Sequence, residues 1–508
     1  MGRPISSAPA QAPAAPIHVV FVHLDLGIGG AEQLVIQLAK ASQDLGYRVD
    51  IVTTRCDQDH CFAAVKEPDG VLSNNVCIYG RWIPPNVFGI ATAFMSTIRM
   101  IYITYKVIKL QRHKSVDVVV VDVLPTSLPL LLSWMSTAGI LFYCHFPDKL
   151  LLRNNRGGII KKWYRKLLDA VEESTMGLAD TLVVNSQFTL SQVKEHFPVL
   201  YSRRNKRQQQ HQILQPIEVL YPALDTSNMV QANNRDKTKL SPIVSLNRFE
   251  RKKNIGLLIR AYAYMTEQIK IKENASSLLP PLVIAGGYDT QNAENVEYRG
   301  ELGALAKELG VLVDFRLDIS DEERATLFQT ALCVVYTPDR EHFGIVPLEA
   351  GFAGTPCLAV NSGGPIETVR DNETGFLREP TPEAFGDALF VLIEDPQKAT
   401  RMGQAGRNHV ETIFGTKRFE KEWKVLVEET KTSSLTRNGR SNDTTNSGNR
   451  DFQTRFVLWA NTSIYTVELM MAFLFVILIT EFLRQIGVLQ PSQSIFGAVR
   501  TGLLGDEL

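Results

Sequence analysis

Leu332-Cys-Val-Val-Tyr-Thr337, followed by Glu341-His-Phe-Gly-Ile-Val-Pro-Leu-Glu349-Ala-Gly351, decides how this chain is read. The first run is short, apolar and β-branched, as a buried strand is. The second run opens a helix over Val346–Ala353, with Pro347 in the first turn, where a missing N–H costs nothing. A strand end passing into a helix N-terminus is the place in an open α/β sheet where phosphates and sugars bind. Glu341 then stands before the helix and Glu349 inside it, eight positions on, both able to accept hydrogen bonds from hydroxyl groups.

Working outward, the strand-then-helix alternation recurs in two halves. Strands are expected at Ile17–His23, Arg48–Thr53, Asp117–Asp122, Gly139–His145 and Asp180–Asn185, with a helix over Ala31–Leu45. After a polar stretch near Ser227–Lys239 the pattern restarts at Pro242–Asn247. It continues through Leu282–Gly286, Val311–Leu317, Leu332–Thr337 and Pro356–Val360. Continuous rather than alternating hydrophobicity marks strands covered on both faces, as in parallel sheets. Ser320-Asp-Glu-Glu323 is a capping box opening a helix over Glu322–Leu332. The expected fold class is α/β: two doubly wound domains, 17–232 and 240–430, whose facing strand ends form a cleft. Phe88–Val107 and Leu124–Phe142 are long and apolar, but Lys and Arg interrupt the first and Pro125 and Pro129 the second. They read as core elements, with one face available to a membrane.

At 508 residues the chain needs more than one core. Lys+Arg and Asp+Glu are equal at 54 each, so no global field attracts nucleic acid. The six cysteines show no disulfide framework, and Cys56, His60 and Cys61 lack a second ligand pair for zinc. Residues 1–16, rich in Ala, Pro and Ser, read as a tail without a secretory signal. A polar linker is expected at 431–451 and a membrane segment at 452–489. Its charge-free centre, Leu469–Thr480, is only 12 residues long between Glu468 and Glu481, so spanning and interfacial placements both stay open.

Three further clusters sit at expected strand ends. Gly29 and Gly30 follow the first strand, where glycines bring backbone N–H groups close to a ligand. The spacing is not Gly-x-Gly-x-x-Gly and no acid ends the second strand, which disfavours NAD. Arg248 and Lys253, in Asn247-Arg-Phe-Glu-Arg-Lys-Lys-Asn254, suit a diphosphate, five positions allowing both to converge on one anion. His145, in His145-Phe-Pro-Asp148, would face the cleft from the first domain. Behind it, Lys149, Arg153, Lys161, Lys162 and Arg165 interleave with Leu151, Ile160 and Trp163, a pattern that suits an anionic membrane surface or a solvated helix face. Asp57-Gln-Asp59 follows the second strand without supporting pattern and reads as a loop. No metal is required if cations and helix N-termini stabilise a departing diphosphate.

Taken together, Gly29–Gly30, Arg248 with Lys253, Glu341 and Glu349, Gly363-Gly-Pro-Ile-Glu367 and Glu373-Thr-Gly-Phe-Leu377 resemble family 4 of the retaining GT-B glycosyltransferases over about residues 17–430. Asp25–Glu32, Tyr143–Asp148 and Ser245–Asn254 look, more narrowly, like the mannosyltransferases of the dolichol pathway. The resemblance implies GDP-mannose as donor and dolichol-diphosphate-linked Man-GlcNAc2 as acceptor, extended first by α-1,3 and then by α-1,6 mannose. It implies the endoplasmic reticulum membrane, with the catalytic domains facing the cytosol and other transferases of the pathway as candidate partners. It places Arg248 and Lys253 on the donor diphosphate and Glu349 on the ribose. Glu341 falls at the mannose, with Phe343, Gly344 and Ile345 lining the donor site. His145 falls near the transferred sugar and acceptor, and Gly29–Gly30 over the diphosphate. Alternatives are another sugar nucleotide or lipid, such as N-acetylglucosamine onto phosphatidylinositol, and a non-catalytic membrane scaffold.

Overall fold

The computed structural model describes residues 15–86, 92–111, 114–147, 150, 169–209, 216–224, 238, 240–273 and 279–443. The first domain is a parallel sheet of β1 (His18–Val22), β2 (Arg48–Thr53), β3 (Val76–Ile78), β4 (Val118–Asp122), β5 (Gly139–Cys144), β6 (Thr181–Val184) and β7 (Ile217–Val219), in the order β3-β2-β1-β4-β5-β6-β7. The second contains β8 (Ile243–Leu246), β9 (Leu282–Gly286), β10 (Val313–Leu317), β11 (Cys333–Tyr336), β12 (Cys357–Val360) and β13 (Gly375–Arg378), in the order β10-β9-β8-β11-β12-β13. Both orders reverse direction beside the domain's first strand, and the crevice outside such a switch point is where α/β sheets bind ligands.

The all-valine run Val118–Val121 shows why these strands are legible. All four side chains are buried, Val119 and Val121 in the core on one face and Val118 and Val120 in the core on the other. The expected strands appear within a residue or two of their bounds. The edge strands β3, β7 and β13 were not foreseen, because runs of three or four residues are too short to carry that signature.

The helices that position the site are α1 (Gly30–Asp44), α2 (Thr92–Gln111), α3 (Gln187–His196), α4 (Gly256–Glu273), α5 (Asp321–Thr330), α6 (Ile345–Phe352) and α7 (Thr416–Asp443). Ser320 caps α5 by accepting the Glu323 N–H at 3.2 Å. The return half of the expected capping box is replaced by a Glu323–Arg316 ion pair at 3.0 Å. α2 and β5 show the described parts of the two apolar stretches, from 92 and from 124 onward, to be core elements, while 88–91 lie outside the described residues.

α7 corrects the expected linker. The helix starts in the second domain and ends against the first, so residues from 431 onward continue it rather than begin a linker. Trp423 is fully buried, stacks on Phe21 and donates from Nε1 to Ser42 Oγ at 2.8 Å. Thr430 pairs with Thr181 at 2.7 Å, and Lys431 with Asp117 at 2.8 Å. Gly139 is required where α7 crosses β5, since a Cβ there would overlap the Thr430 backbone.

The polar stretch at 225–237, the basic run 151–168 and the membrane segment 452–489 lie outside the described residues. Among the described residues, no helix is long and apolar enough to cross a membrane.

Candidate functional site

The loop after β11 is shaped by glycine. Gly344 adopts φ 78° as the N-cap of α6, a left-handed conformation that favours glycine. Gly363 (φ 67°) and Gly364 back the same loop. A Cβ on Gly363 would lie 2.8 Å from the Glu341 nitrogen, and Gly364 N–H donates to the Glu341 carbonyl at 2.7 Å. The Gly-Gly pair quoted above only as a motif is thus the floor on which Glu341–Phe343 rests.

Lys253 Nζ donates to Glu341 Oε2 at 2.6 Å. Lys253 is held from behind, its carbonyl accepting from Thr337 Oγ1 at 2.6 Å. Asn254, at φ 48°, closes the tight turn that aims it. Burial alone would raise the Glu341 carboxyl, but Lys253, with His342 and Lys252 near it, outweighs burial and holds it below the usual range. Arg248 behaves differently. Its side chain is 67% exposed and lies 3.4 Å from Glu250, so in this structure Arg248 and Lys253 do not converge on one point. Of the neighbouring cations, Arg251 pairs with Glu297 and Glu301, and Lys252 with Glu250. Lys253 is the cation of this turn that faces Glu341.

Glu349, in the first turns of α6, is 8% exposed. It accepts from Arg324 of α5 at 2.5 Å. Burial pushes its carboxyl up, and Arg324 offsets only part of that rise. The sequence reading did not single out Arg324, since nothing local links it to Glu349.

The first domain brings together the ends of β1, β4 and β5. His145 Nε2 lies 3.0 Å from Asp122 Oδ2, and His23 Nδ1 lies 2.8 Å from the same carboxylate. Burial opposes ionisation of Asp122, yet His23 and His145 hold its carboxyl down at about 2. Gly29 is the extended N-cap of α1, Gly30 its first residue, with open space beside it.

The two domains meet across this region. The His342 ring stacks on Phe146 with centroids 3.6 Å apart, and the His342 carbonyl accepts from Ser186 Oγ at 2.7 Å. Burial first, then the cations Lys253 and Lys252, push His342 down to about 4, so it is neutral at neutral pH. Glu367 accepts from Gln187 N–H at 2.8 Å and Phe188 N–H at 2.7 Å, capping α3 of the other domain. Tyr221 stacks on Phe343 at 5.9 Å. His342 and Phe146 lay inside the quoted stretches without being chosen, and Glu367 was noted only as part of a motif. Their roles depend on contacts between residues up to 180 positions apart, such as Glu367 with Gln187.

The arrangement sets a cation–carboxylate pair and a buried carboxylate at one set of strand ends, with a His–Asp–His cluster opposite. Fixed positive charge can stabilise a leaving anion, while Glu341 lies where hydroxyls or a developing cation could be met. Among the described residues no group of three or more His, Cys, Asp or Glu is placed to hold a metal.

Comparisons with known proteins show the family and the fold. Residues 28–203 match the Glycosyltransferase Family 4 model and residues 227–409 the Glycosyl transferases group 1 model. The chain is 37% identical over 414 residues to the alpha-1,3/1,6-mannosyltransferase ALG2 of Homo sapiens, covering 80% of this chain and 94% of that one. It is 36% identical over 444 residues to the protein of the same name from Rhizomucor pusillus, covering 82% and 93%. Among solved structures, sucrose-phosphate synthase from Thermosynechococcus elongatus superposes with a TM-score of 0.58 at 20% identity, covering 81% of this chain and 98% of that one. The catalytic domain of starch synthase IV from Arabidopsis thaliana does so at 0.59 and 14%, covering 82% and 100%. These last two bear on the fold alone. With GT-B architecture and relatives of this identity over most of its length, the chain belongs to the α-1,3/1,6-mannosyltransferase family of glycosyltransferases.

Proposed function

We propose that this enzyme transfers mannose from GDP-mannose to a dolichol-diphosphate-linked Man-GlcNAc2, adding an α-1,3 and then an α-1,6 residue with retention of configuration. The observation that carries the reading is the Lys253–Glu341 pair at the second domain's strand ends, next to His342, whose ring stacks on Phe146 beside His145 of the first domain. Cleavage of a sugar–phosphate bond builds negative charge on the diphosphate and positive charge at the anomeric carbon. Lys253 would meet the first and Glu341 the second. Glu349 would take the ribose hydroxyls once the donor displaces Arg324. Arg248, exposed in the open turn, would swing onto the diphosphate, while Phe343, Gly344 and Ile345 line the donor and Gly29–Gly30 close over it. The chemistry needs no metal.

We further assign the acceptor to a lipid carried in the endoplasmic reticulum membrane, with both domains on the cytosolic side. A surface of α2 and its neighbours supports contact with a bilayer: Trp82 is 75% and Trp134 63% exposed. Tyr105 joins them, and Lys106 lies over the rings of Tyr79 and Tyr102. Exposed aromatics edged by lysines suit the headgroup region of an anionic membrane. Incubation of the purified protein with GDP-mannose and the lipid-linked acceptor, with Lys253→Ala and Glu341→Ala beside it, tests the assignment. Near-normal turnover in both variants would remove these residues from the chemistry.

A further inference from the structure

His23 has two hydrogen-bond partners that can only accept. Its Nδ1 lies 2.8 Å from both oxygens of Asp122, and its Nε2 lies 2.9 Å from the Asp25 carbonyl oxygen. A carbonyl oxygen has no proton to give, and neither has an ionised carboxylate. Both ring nitrogens must therefore carry hydrogen, which makes the buried ring an imidazolium. Asp122 also receives His145 Nε2 at 3.0 Å. One carboxylate thus binds two histidines and dictates which nitrogen of each is protonated.

The backbone around Asp122 is built for this position. Val123, the next residue, has φ 62°. A β-branched residue there is an outlier held by its surroundings. Leu124 N–H closes the three-residue turn onto the Asp122 carbonyl at 2.6 Å, a turn type that is rare and strained. The fold accepts that strain at Val123, directly after the residue whose carboxylate meets both rings.

We infer that His23 is a fixed imidazolium, and that the His23–Asp122 pair is the positioning device that holds His145 with its proton on Nε2. His145 then exchanges protons at Nδ1 alone. The inference rests on the proposed place of His145 near the transferred sugar, and it goes beyond that by assigning Asp122 and His23 as positioning residues. The groups facing His23 are Asp122 of β4, with His145 beyond it, Glu32 of α1 at 4.0 Å, and Asp25, whose carboxylate is engaged by Arg99 of α2. Burial by itself would lower the His23 pKa, but Asp122 and Glu32 outweigh burial and raise it. The negative groups around the ring favour the charge that the hydrogen bonds require.

Two measurements test this. In the full-length protein labelled with ¹⁵N-histidine, His23, identified by its loss in His23→Gln, is expected to show both nitrogens protonated at pH 8, and His145 to show the Nε2–H form. Asp122→Asn removes the charge and sets an NH2 within 2.8 Å of His23 Nδ1 in either amide orientation, so the His23 imidazolium is disfavoured and the His145 tautomer is no longer dictated. Loss of the correct histidine tautomer costs up to about 10⁴-fold in rate in a protease triad, so kcat is expected to fall at least about 100-fold, with KM for GDP-mannose within about threefold. Unchanged donor binding and a cooperative thermal melt, at whatever midpoint, would show that the variant is folded. A single protonated nitrogen on His23 at pH 8 would overturn the inference, and so would Asp122→Asn with kcat within threefold of wild type. His145→Gln separates the two readings: unchanged kcat there would remove His145 from the reaction, and the positioning role with it.

Discussion

Lys253 and Glu341 are the pair on which the donor site depends, and a double-mutant cycle separates their contribution to folding from their contribution to chemistry. Their charged atoms are 2.6 Å apart, with side chains 12% and 26% exposed. Opposite unit charges at that distance attract by roughly 6 kcal/mol at an effective dielectric of about 20. Desolvation removes a large part of this gain. Lys253→Met leaves Glu341 half-buried without its partner and is expected to cost about 2–4 kcal/mol in urea denaturation. Glu341→Gln is expected to cost about 1–2 kcal/mol, since the amide still accepts from lysine. The double variant should be more stable than the sum of the two effects predicts, by about 1–3 kcal/mol, because no uncompensated charge remains. Transfer from GDP-mannose should not follow that recovery. All three variants are expected to lose about 100-fold or more in kcat, as when one preorganised group facing developing charge is removed. Stability effects that add within about 0.5 kcal/mol, or a double variant that regains activity, would refute the coupling.

Three further outcomes follow from other parts of the molecule. Trp423→Ala, which empties a buried site between α7 and the first domain, should destabilise the fold by about 3–5 kcal/mol, measured by denaturation. Asp122, lowered from 3.8 to about 2, contributes stability that is present above pH 3.8 and lost as pH falls toward 2. That contribution is about 2 kcal/mol, so the stability gap between wild type and Asp122→Asn should narrow as pH falls from 3.8 to about 2 in urea titrations. Asn372, in the triplet Asn372-Glu-Thr, is exposed in a turn at φ 60° and should be unglycosylated in peptide mass spectra from eukaryotic cells. A glycan there would place the second domain in the lumen.

The strands were legible because a parallel sheet buries both faces, and runs such as Val118–Val121 and Cys333–Tyr336 carry that requirement in adjacent residues. The helix after β11 was legible from Pro347 and the glycine before it. Glu341, Glu349, Lys253 and His145 could be chosen for the same reason: each stands beside a strand end visible in its own segment. Asp122 was read as the last residue of a strand. Its contact with His23 spans 99 positions, and no local pattern announces it. Arg324 opposite Glu349 and Glu367 on the N-terminus of α3 are further long-range pairings. The extent of α7 was misread because a polar surface helix and a polar linker share a composition, and buried Trp423, Thr430 and Ser434 are too widely spaced to signal docking onto another domain.

The most direct test is stepwise incubation of the purified protein with GDP-mannose and Man-GlcNAc2 on a dolichol diphosphate, followed by mass and linkage analysis. Two successive hexose additions are expected, the first α-1,3 and the second α-1,6, both lost in Lys253→Ala. No transfer from GDP-mannose, preference for another sugar nucleotide, or a different first linkage would contradict the account.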